Sequence, residues 1–496
     1  MSAPESWLAR HAQQRANHPA LISTHGTLSY AALEADARSL AARLRGIGIE
    51  AGDRIPVLLE NDPLYVVLIH ALIMLGAVLV PLNIRLTSRE LQGLLAELEP
   101  KLLLHGHELE ERARESTREL ASIQVLAAHT LHTLPEKPAR ASRAPTLSCD
   151  QAILFTSGTT GRPKGVRLSL LNQLASAMSS VQHLGAETHA RWLACLPLYH
   201  VGGLAIVMRS AFYGRTVVLH ERFDPQAVLQ SIERDRVSAL SLVPTMLLRL
   251  LEASGAARFP DSLRGVLLGG GPIAPELVAR AQTAGLPVAP TYGLTEATSQ
   301  VATLTPQEAL ERAQPSAGRV LPGLELRIVD EQGQNVPPEV PGEIWLHGAQ
   351  VSAGYLKTSL ETKYAGGTRW LRTGDIGQLS RDGYLTLLDR RSDLIVSGGE
   401  NVYPAEVEAV LLSHPDVAAA AVVGAPDEVW GQGVHAFVVP RGERRPRAQE
   451  LVAHCRAELA GFKLPRRVHI VASLPYTASG KLRRAELRKR LPGVPG

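Results

Sequence analysis

The chain has 496 residues, 45% of them apolar, with 52 Lys plus Arg against 48 Asp plus Glu. So long and apolar a chain excludes a disordered or fibrous protein and needs more than one hydrophobic core, hence at least two domains. A net charge of +4 over that length creates no field for bulk binding of nucleic acid, so an anionic partner must be held locally.

The opening Met1–Leu8 has no basic start followed by an apolar run, which argues against a secretory signal. Periodicity predicts a helix over residues 30–44 feeding a buried strand over 54–59. Residues 64–82 imitate a membrane span, with His70 their one clearly polar member. Gly76 and Pro81 break the run into a buried helix over 63–75 and a short strand over 77–80, so no membrane insertion is expected. Residues 108–134 are charged with weak periodicity and 135–145 are rich in Pro, Ala and Arg; together they read as a surface connection.

Short apolar runs then recur at 151–155, 192–196, 216–219, 239–242, 265–268 and 288–290, separated by helical stretches such as 225–234 and 275–282. This is an α/β pattern with largely parallel strands. From about Gly323 the strands 324–330, 342–347 and 384–388 follow without intervening helices, which predicts a β-rich subdomain. Beyond 389–392 a helix (404–412), two strands (417–423, 435–439) and a helix (449–459) predict an independent α+β unit. The expected organisation is a large domain over 1–389 and a small one over 390–496.

Cys149, Cys195 and Cys455 are far apart and odd in number, so neither a disulfide framework nor a cysteine zinc site is indicated; a reducing, cytoplasmic setting fits. From Arg390 onward there are 16 Lys plus Arg against 11 Asp plus Glu, so the basic excess is confined to the C-terminal part. Only eight residues in the whole chain are Lys, which draws attention to Lys164 and Lys481, both inside glycine-containing motifs.

The segment from Phe155 to Gly165 follows an apolar strand and contains Thr156, Ser157, Gly158, Thr159, Thr160, Gly161 and Lys164. Hydroxyls and glycine-exposed amides wrap a polyphosphate, and a lysine adds a point charge. The order is not that of a Walker A loop, in which Gly-Lys is followed by Ser or Thr.

This segment resembles the phosphate-binding signature of the adenylate-forming superfamily, which comprises acyl- and aryl-CoA ligases, adenylation domains and luciferases. Further stretches resemble its other signatures in the same order, from about residue 20 to 490. The resemblance implies a large core with ATP and acid pockets, hinged to a small mobile domain. In the stretch from Thr291 to Glu296 it implies that Tyr292 and Gly293 lie near adenine, that Thr295 approaches the α-phosphate and that Glu296 coordinates Mg²⁺. Gly269 and Gly270 form a glycine turn that a planar base could approach. By resemblance Asp375 accepts the ribose hydroxyls, Arg390 touches ribose and phosphate, and Ser392 is the hinge. Asp389 and Ser392 depart from the usual Gly and Asp or Lys, and Tyr476 stands where Arg is commoner.

Two anions meet when a carboxylate attacks the α-phosphorus of ATP, so cations should dominate that step. The resemblance assigns Lys164 to the departing pyrophosphate and Lys481 to the space between carboxylate and α-phosphate. It also implies that the small domain then turns, bringing Gly398 and Gly399 to line a channel for the pantetheine arm of coenzyme A. Residues 196–204, 214–223 and 291–300 are most similar to the o-succinylbenzoate–CoA ligase branch, of menaquinone biosynthesis. That implies an aromatic keto-diacid activated at its succinyl carboxylate, with its ring carboxylate held by His200, the Gly269–Gly270 backbone and Ser299. The expected reactants are a carboxylic acid, ATP with Mg²⁺ and coenzyme A; a homo-oligomer is compatible. Two alternatives stay open: a CoA ligase for another aryl or medium-chain acid, and a carrier-protein-loading module or inactive ATP-binding regulator. The second is disfavoured by the short tail after Lys481, which leaves no room for a carrier domain.

Overall fold

The computed structural model describes residues 7–137, 146–156, 163–185, 190–255, 258–271, 273–312, 316–389, 394–442, 444–475 and 482–491. The chain divides into two compact units. The first is Met1–Ile84, Leu95–Leu154 and Gly165–Leu388; the second is Arg85–Leu94, Phe155–Lys164 and Asp389–Gly496.

The first unit is α/β. Its largest sheet has nine strands, and six neighbours within it run parallel: Val288–Leu294, Gly265–Leu268, Ala239–Leu242, Arg191–Ala194, Thr216–Leu219 and Pro19–Ser23. These strands are short and apolar because both faces are covered: Val266, Leu268, Leu240 and Val218 are all fully buried. Antiparallel strands close both edges, Gly26–Ser29 on one side, Ser299–Thr303 and Arg319–Val320 on the other.

A seven-stranded sheet carries Gly354–Tyr355, Lys164–Ser169, Asp150–Thr156, Val78–Pro81, Arg54–Leu58, Leu102–His105 and Gln124–Ala127 in that order. The apolar stretch near residue 70 is the buried helix Pro63–Leu75, started by the Asp62 cap and Pro63 and stopped by Gly76 at φ 74°. Among the described residues no helix is long and apolar enough to cross a membrane. A third sheet pairs Leu324–Val329, Gly342–Gly348, Thr368–Leu379 and Thr362–Ala365, with Leu385–Asp389 against the long strand. This is the expected β-rich subdomain.

The expectation of a surface connection over 108–134 is corrected. Those residues form the helix Glu110–Thr117 and the strand Gln124–Ala127, which pairs parallel with Leu102–His105. The helix buries only small side chains, Ala113, Ser116 and Thr117, so its inner face carries almost no apolar signal.

The second unit is α+β. Its sheet orders Glu400–Val402, Ile395–Ser397, Gly431–Pro440 and Val417–Asp427, with Arg467–Ile470 parallel to Gly431–Pro440. Helices Pro404–Leu412 and Ala448–Glu458 supply Val407, Leu411, Leu451 and Cys455 to its core. Within this unit Lys463 is almost fully buried, and its ammonium lies 2.6 Å from carboxylate oxygens of both Glu90 and Glu406. Burial works against that charge, but the two carboxylates outweigh it and raise the lysine pKa.

Candidate active site

In an open parallel sheet, ligands bind beyond the C-terminal ends of the strands. In the first unit those ends carry most of the expected site residues. Gly269 follows Leu268 directly, and a Cβ there would lie 2.7 Å from Thr291 Cγ2. Gly270 adopts φ +78°. Two glycines therefore keep the backbone open where the sheet ends.

The neighbouring strand Val288–Leu294 continues past the sheet edge and turns through the 3₁₀ segment Thr295–Ala297, then returns as Ser299–Thr303. The hairpin is tight. A Cβ on Gly293 would lie 1.8 Å from the Ser299 carbonyl oxygen, so only glycine fits. The turn places two consecutive non-glycine residues in the left-handed region, Thr298 at φ 53° and Ser299 at φ 89°. Thr298 is held there from both sides: its hydroxyl donates to the Gln350 carbonyl at 2.7 Å, and its own carbonyl accepts from the Ser176 hydroxyl at 2.6 Å. The backbone that carries Thr295, Glu296 and Ser299 is thus fixed by neighbours rather than by local propensity.

Two expected site residues meet directly. The buried Tyr292 donates its hydroxyl to Asp375 Oδ2 at 2.6 Å. Asp375 follows Gly374, which has φ +74°, and its amide donates to the Thr373 hydroxyl at 3.0 Å. The Glu296 carboxylate accepts from the Tyr355 hydroxyl at 2.8 Å. Its other oxygen has no donor among the described residues, so the carboxylate retains an open oxygen suited to a hard cation such as Mg²⁺.

His200 occupies the N-cap position of the helix Val201–Tyr213 without a side-chain cap hydrogen bond, and its ring meets Tyr199 edge-on. The loop before it is set by Asn61, which donates to the Leu196 and His220 carbonyls and accepts the Leu198 amide. The helix begins so close to this loop that a Cβ on Gly203 would lie 2.3 Å from the Pro197 carbonyl.

Further along, away from His200, the same helix holds a buried arginine. Arg209 is 2% exposed, its Nε and Nη2 have no hydrogen-bond partner, and its guanidinium lies 5.8 Å from the Trp192 ring centre. Burial, and secondarily Arg215, push its pKa down to about 10.

In the second unit, the Thr156 hydroxyl approaches the Lys164 carbonyl at 3.4 Å, across the ends of two neighbouring strands. Gly398 and Gly399 adopt φ +59° and +82°, and a Cβ on Gly398 would lie 2.6 Å from the Trp430 ring. Arg466 covers the same ring at 4.4 Å. Ser157, Gly158, Thr159, Thr160, Gly161, Arg390, Ser392 and Lys481 lie outside the described residues.

A family model of AMP-binding enzymes matches residues 8–356, and one of the AMP-binding enzyme C-terminal domain matches residues 406–481. The chain belongs to the AMP-binding enzyme family. Among AMP-binding enzymes, the 2-succinylbenzoate–CoA ligase of Bacillus licheniformis is 41% identical over 492 residues, covering 97% of this chain and 99% of the relative. The o-succinylbenzoate CoA synthetase (MenE) of Bacillus subtilis, a double mutant bound with its product analogue OSB-NCoA, superimposes with a TM-score of 0.91 at 38% identity, over 99% of both chains. The same B. subtilis enzyme in complex with ATP and magnesium ion gives a TM-score of 0.73 at 38% identity, over 98% of this chain and 99% of the other.

Proposed function

We propose that this AMP-binding enzyme is an o-succinylbenzoate–CoA ligase of menaquinone biosynthesis, working in the cytoplasm on o-succinylbenzoate, ATP with Mg²⁺ and coenzyme A. The observation that carries the proposal is likeness over essentially the whole chain to ligases of that name. Three free cysteines fit a reducing compartment.

In the first step the succinyl carboxylate oxygen bonds to the α-phosphorus of ATP. The bond to the β,γ-phosphates breaks, and pyrophosphate departs with its electron pair. Oxide would be a hopeless leaving group; AMP is a good one. Lys164 and Lys481 offset the charge of the meeting anions, and contacts of this charge-assisted kind contribute roughly 1.5–3 kcal/mol each. Mg²⁺ would be held by Glu296 and would neutralise phosphate charge. The remaining ligands of that ion would come from nucleotide phosphates and water. Tyr292 and Asp375 hold adenine and ribose. In the second step the thiol of coenzyme A bonds to the acyl carbon and gives up its proton, and AMP leaves with the electron pair of the acyl–oxygen bond. For this step we assign Ser392 as hinge and Gly398–Gly399 as the channel wall.

The aromatic carboxylate of the substrate is an anion that must be desolvated. His200, Ser299 and the Gly269–Gly270 backbone offer donors.

The test is pyrophosphate release from ATP by the purified protein across a panel of acids. Turnover with o-succinylbenzoate far above that with benzoate or hexanoate is expected. Equal turnover of benzoate would overturn the assignment in favour of a general aryl-CoA ligase.

A further inference from the structure

Residues 349–355 form a strap across the first unit, woven into three neighbours. Asn172 donates its side-chain amide to the Ala349 and Val351 carbonyls, at 2.8 and 3.2 Å. Gln350 donates to the Gln300 carbonyl at 2.9 Å and accepts from Thr298 through its own carbonyl. Gly354 and Tyr355 then pair antiparallel with Arg167 and Val166, and the Leu356 amide donates to the Gly165 carbonyl at 2.7 Å. The strap is thereby stitched to the strand that begins at Lys164.

Glu296 is the residue this strap clasps twice. The Ser352 amide donates to the Glu296 backbone carbonyl at 2.8 Å, and the Tyr355 hydroxyl donates to the Glu296 carboxylate at the same distance. Ser352 is fully buried and its hydroxyl donates to the Arg167 carbonyl at 2.7 Å, so the backbone clasp has no slack. A side chain fixed in this way loses little freedom when it takes a ligand.

We infer that Tyr355 is a positioning residue: it fixes the Glu296 carboxylate, through the strap, in register with the strand leaving the phosphate loop, so that the free carboxylate oxygen is preset for the nucleotide-bound cation. This rests on the reading of Glu296 as the Mg²⁺ carboxylate. A purely structural tyrosine would contribute to stability alone; a positioning one also sets the cation requirement.

The experiment compares wild type, Tyr355→Phe, Glu296→Gln and the double variant. Mn²⁺ replaces Mg²⁺ and α,β-methylene-ATP replaces ATP, and Mn²⁺ held in the protein–nucleotide complex is read from water-proton relaxation. Loss of one charge-assisted hydrogen bond predicts roughly 10-fold weaker Mn²⁺ affinity in Tyr355→Phe. In turnover, the Mg²⁺ concentration for half-maximal rate should rise by a similar factor, with the KM for the acid unchanged. In the Glu296→Gln background, Tyr355→Phe should add no further loss, because the two groups act as a unit. Unchanged Mn²⁺ affinity in a folded Tyr355→Phe protein, or full additivity of the two substitutions, would overturn the inference. Should wild type form no such ternary complex, the reading of Glu296 itself falls and the inference with it. Ser352→Ala, which leaves the clasping amide in place, provides a second probe of the strap. It should weaken Mn²⁺ affinity less than Tyr355→Phe, and an equal or larger loss would count against a specific role for the tyrosine.

Discussion

Gly293 and Arg209 show how single residues act here, one on the site and the other on the fold. Gly293 is there because nothing larger fits between two strands of a hairpin, and that closeness puts Thr295 and Glu296 on a rigid turn. Arg209 is a charge removed from water without a compensating carboxylate among the described residues, an arrangement costly to the fold. Replacing it with methionine should therefore leave the melting temperature equal to or above that of wild type, and a clear fall in thermal unfolding would contradict this.

At the level of elements, the helix Pro63–Leu75 is apolar all round and carries His70 into the core at 6% exposure. Burial drives the imidazole pKa down to about 4, so it stays neutral in the folded protein. The sign follows: the unfolded chain takes up a proton below its ordinary value of about 6.5 while the folded chain does not. Stability is complete above that value and is lost as pH falls toward 4, by up to about 3 kcal/mol. His70→Leu should remove this dependence, so its urea midpoint should fall less than that of wild type between pH 7 and pH 4.5. Parallel declines would contradict it.

The elements also show what a sequence can disclose. Thr216–Leu219, Ala239–Leu242, Gly265–Leu268, Pro225–Arg234 and Pro404–Leu412 occupy the residues that periodicity and turn signals predict, because each is bounded by a breaker and buries apolar side chains. Gln124–Ala127 escaped because a four-residue edge strand with its first residue exposed has no run to detect. Gly354–Tyr355 is shorter still, and its importance lies in partners 59 and 189 positions away in the chain, Glu296 and Val166. In the candidate site, Tyr292, Asp375, Glu296 and the glycines were legible as motifs. Tyr355 was not, since a hydrogen bond between distant segments leaves no local pattern.

For the whole molecule, two compact units suit a reaction in two steps with incompatible demands on one site. The proposed division gives residues 1–389 the nucleotide and acid, and gives residues 390–496 Lys481 and the glycine pair at 398–399. On that division, Lys481→Ala should slow acyl-adenylate formation by roughly 10- to 100-fold or more while sparing thioester formation from supplied acyl-adenylate. Rapid-quench measurement of the two half-reactions separates these outcomes, and equal damage to both would break the division. The central claim is the identity of the reaction. The most direct measurement is mass-resolved product analysis of one reaction containing ATP, Mg²⁺ and o-succinylbenzoate, sampled before and after adding coenzyme A. The account predicts o-succinylbenzoyl-AMP and pyrophosphate first, then o-succinylbenzoyl-CoA and AMP in equal amounts. Formation of ADP and phosphate, or of no thioester after coenzyme A is added, would contradict it.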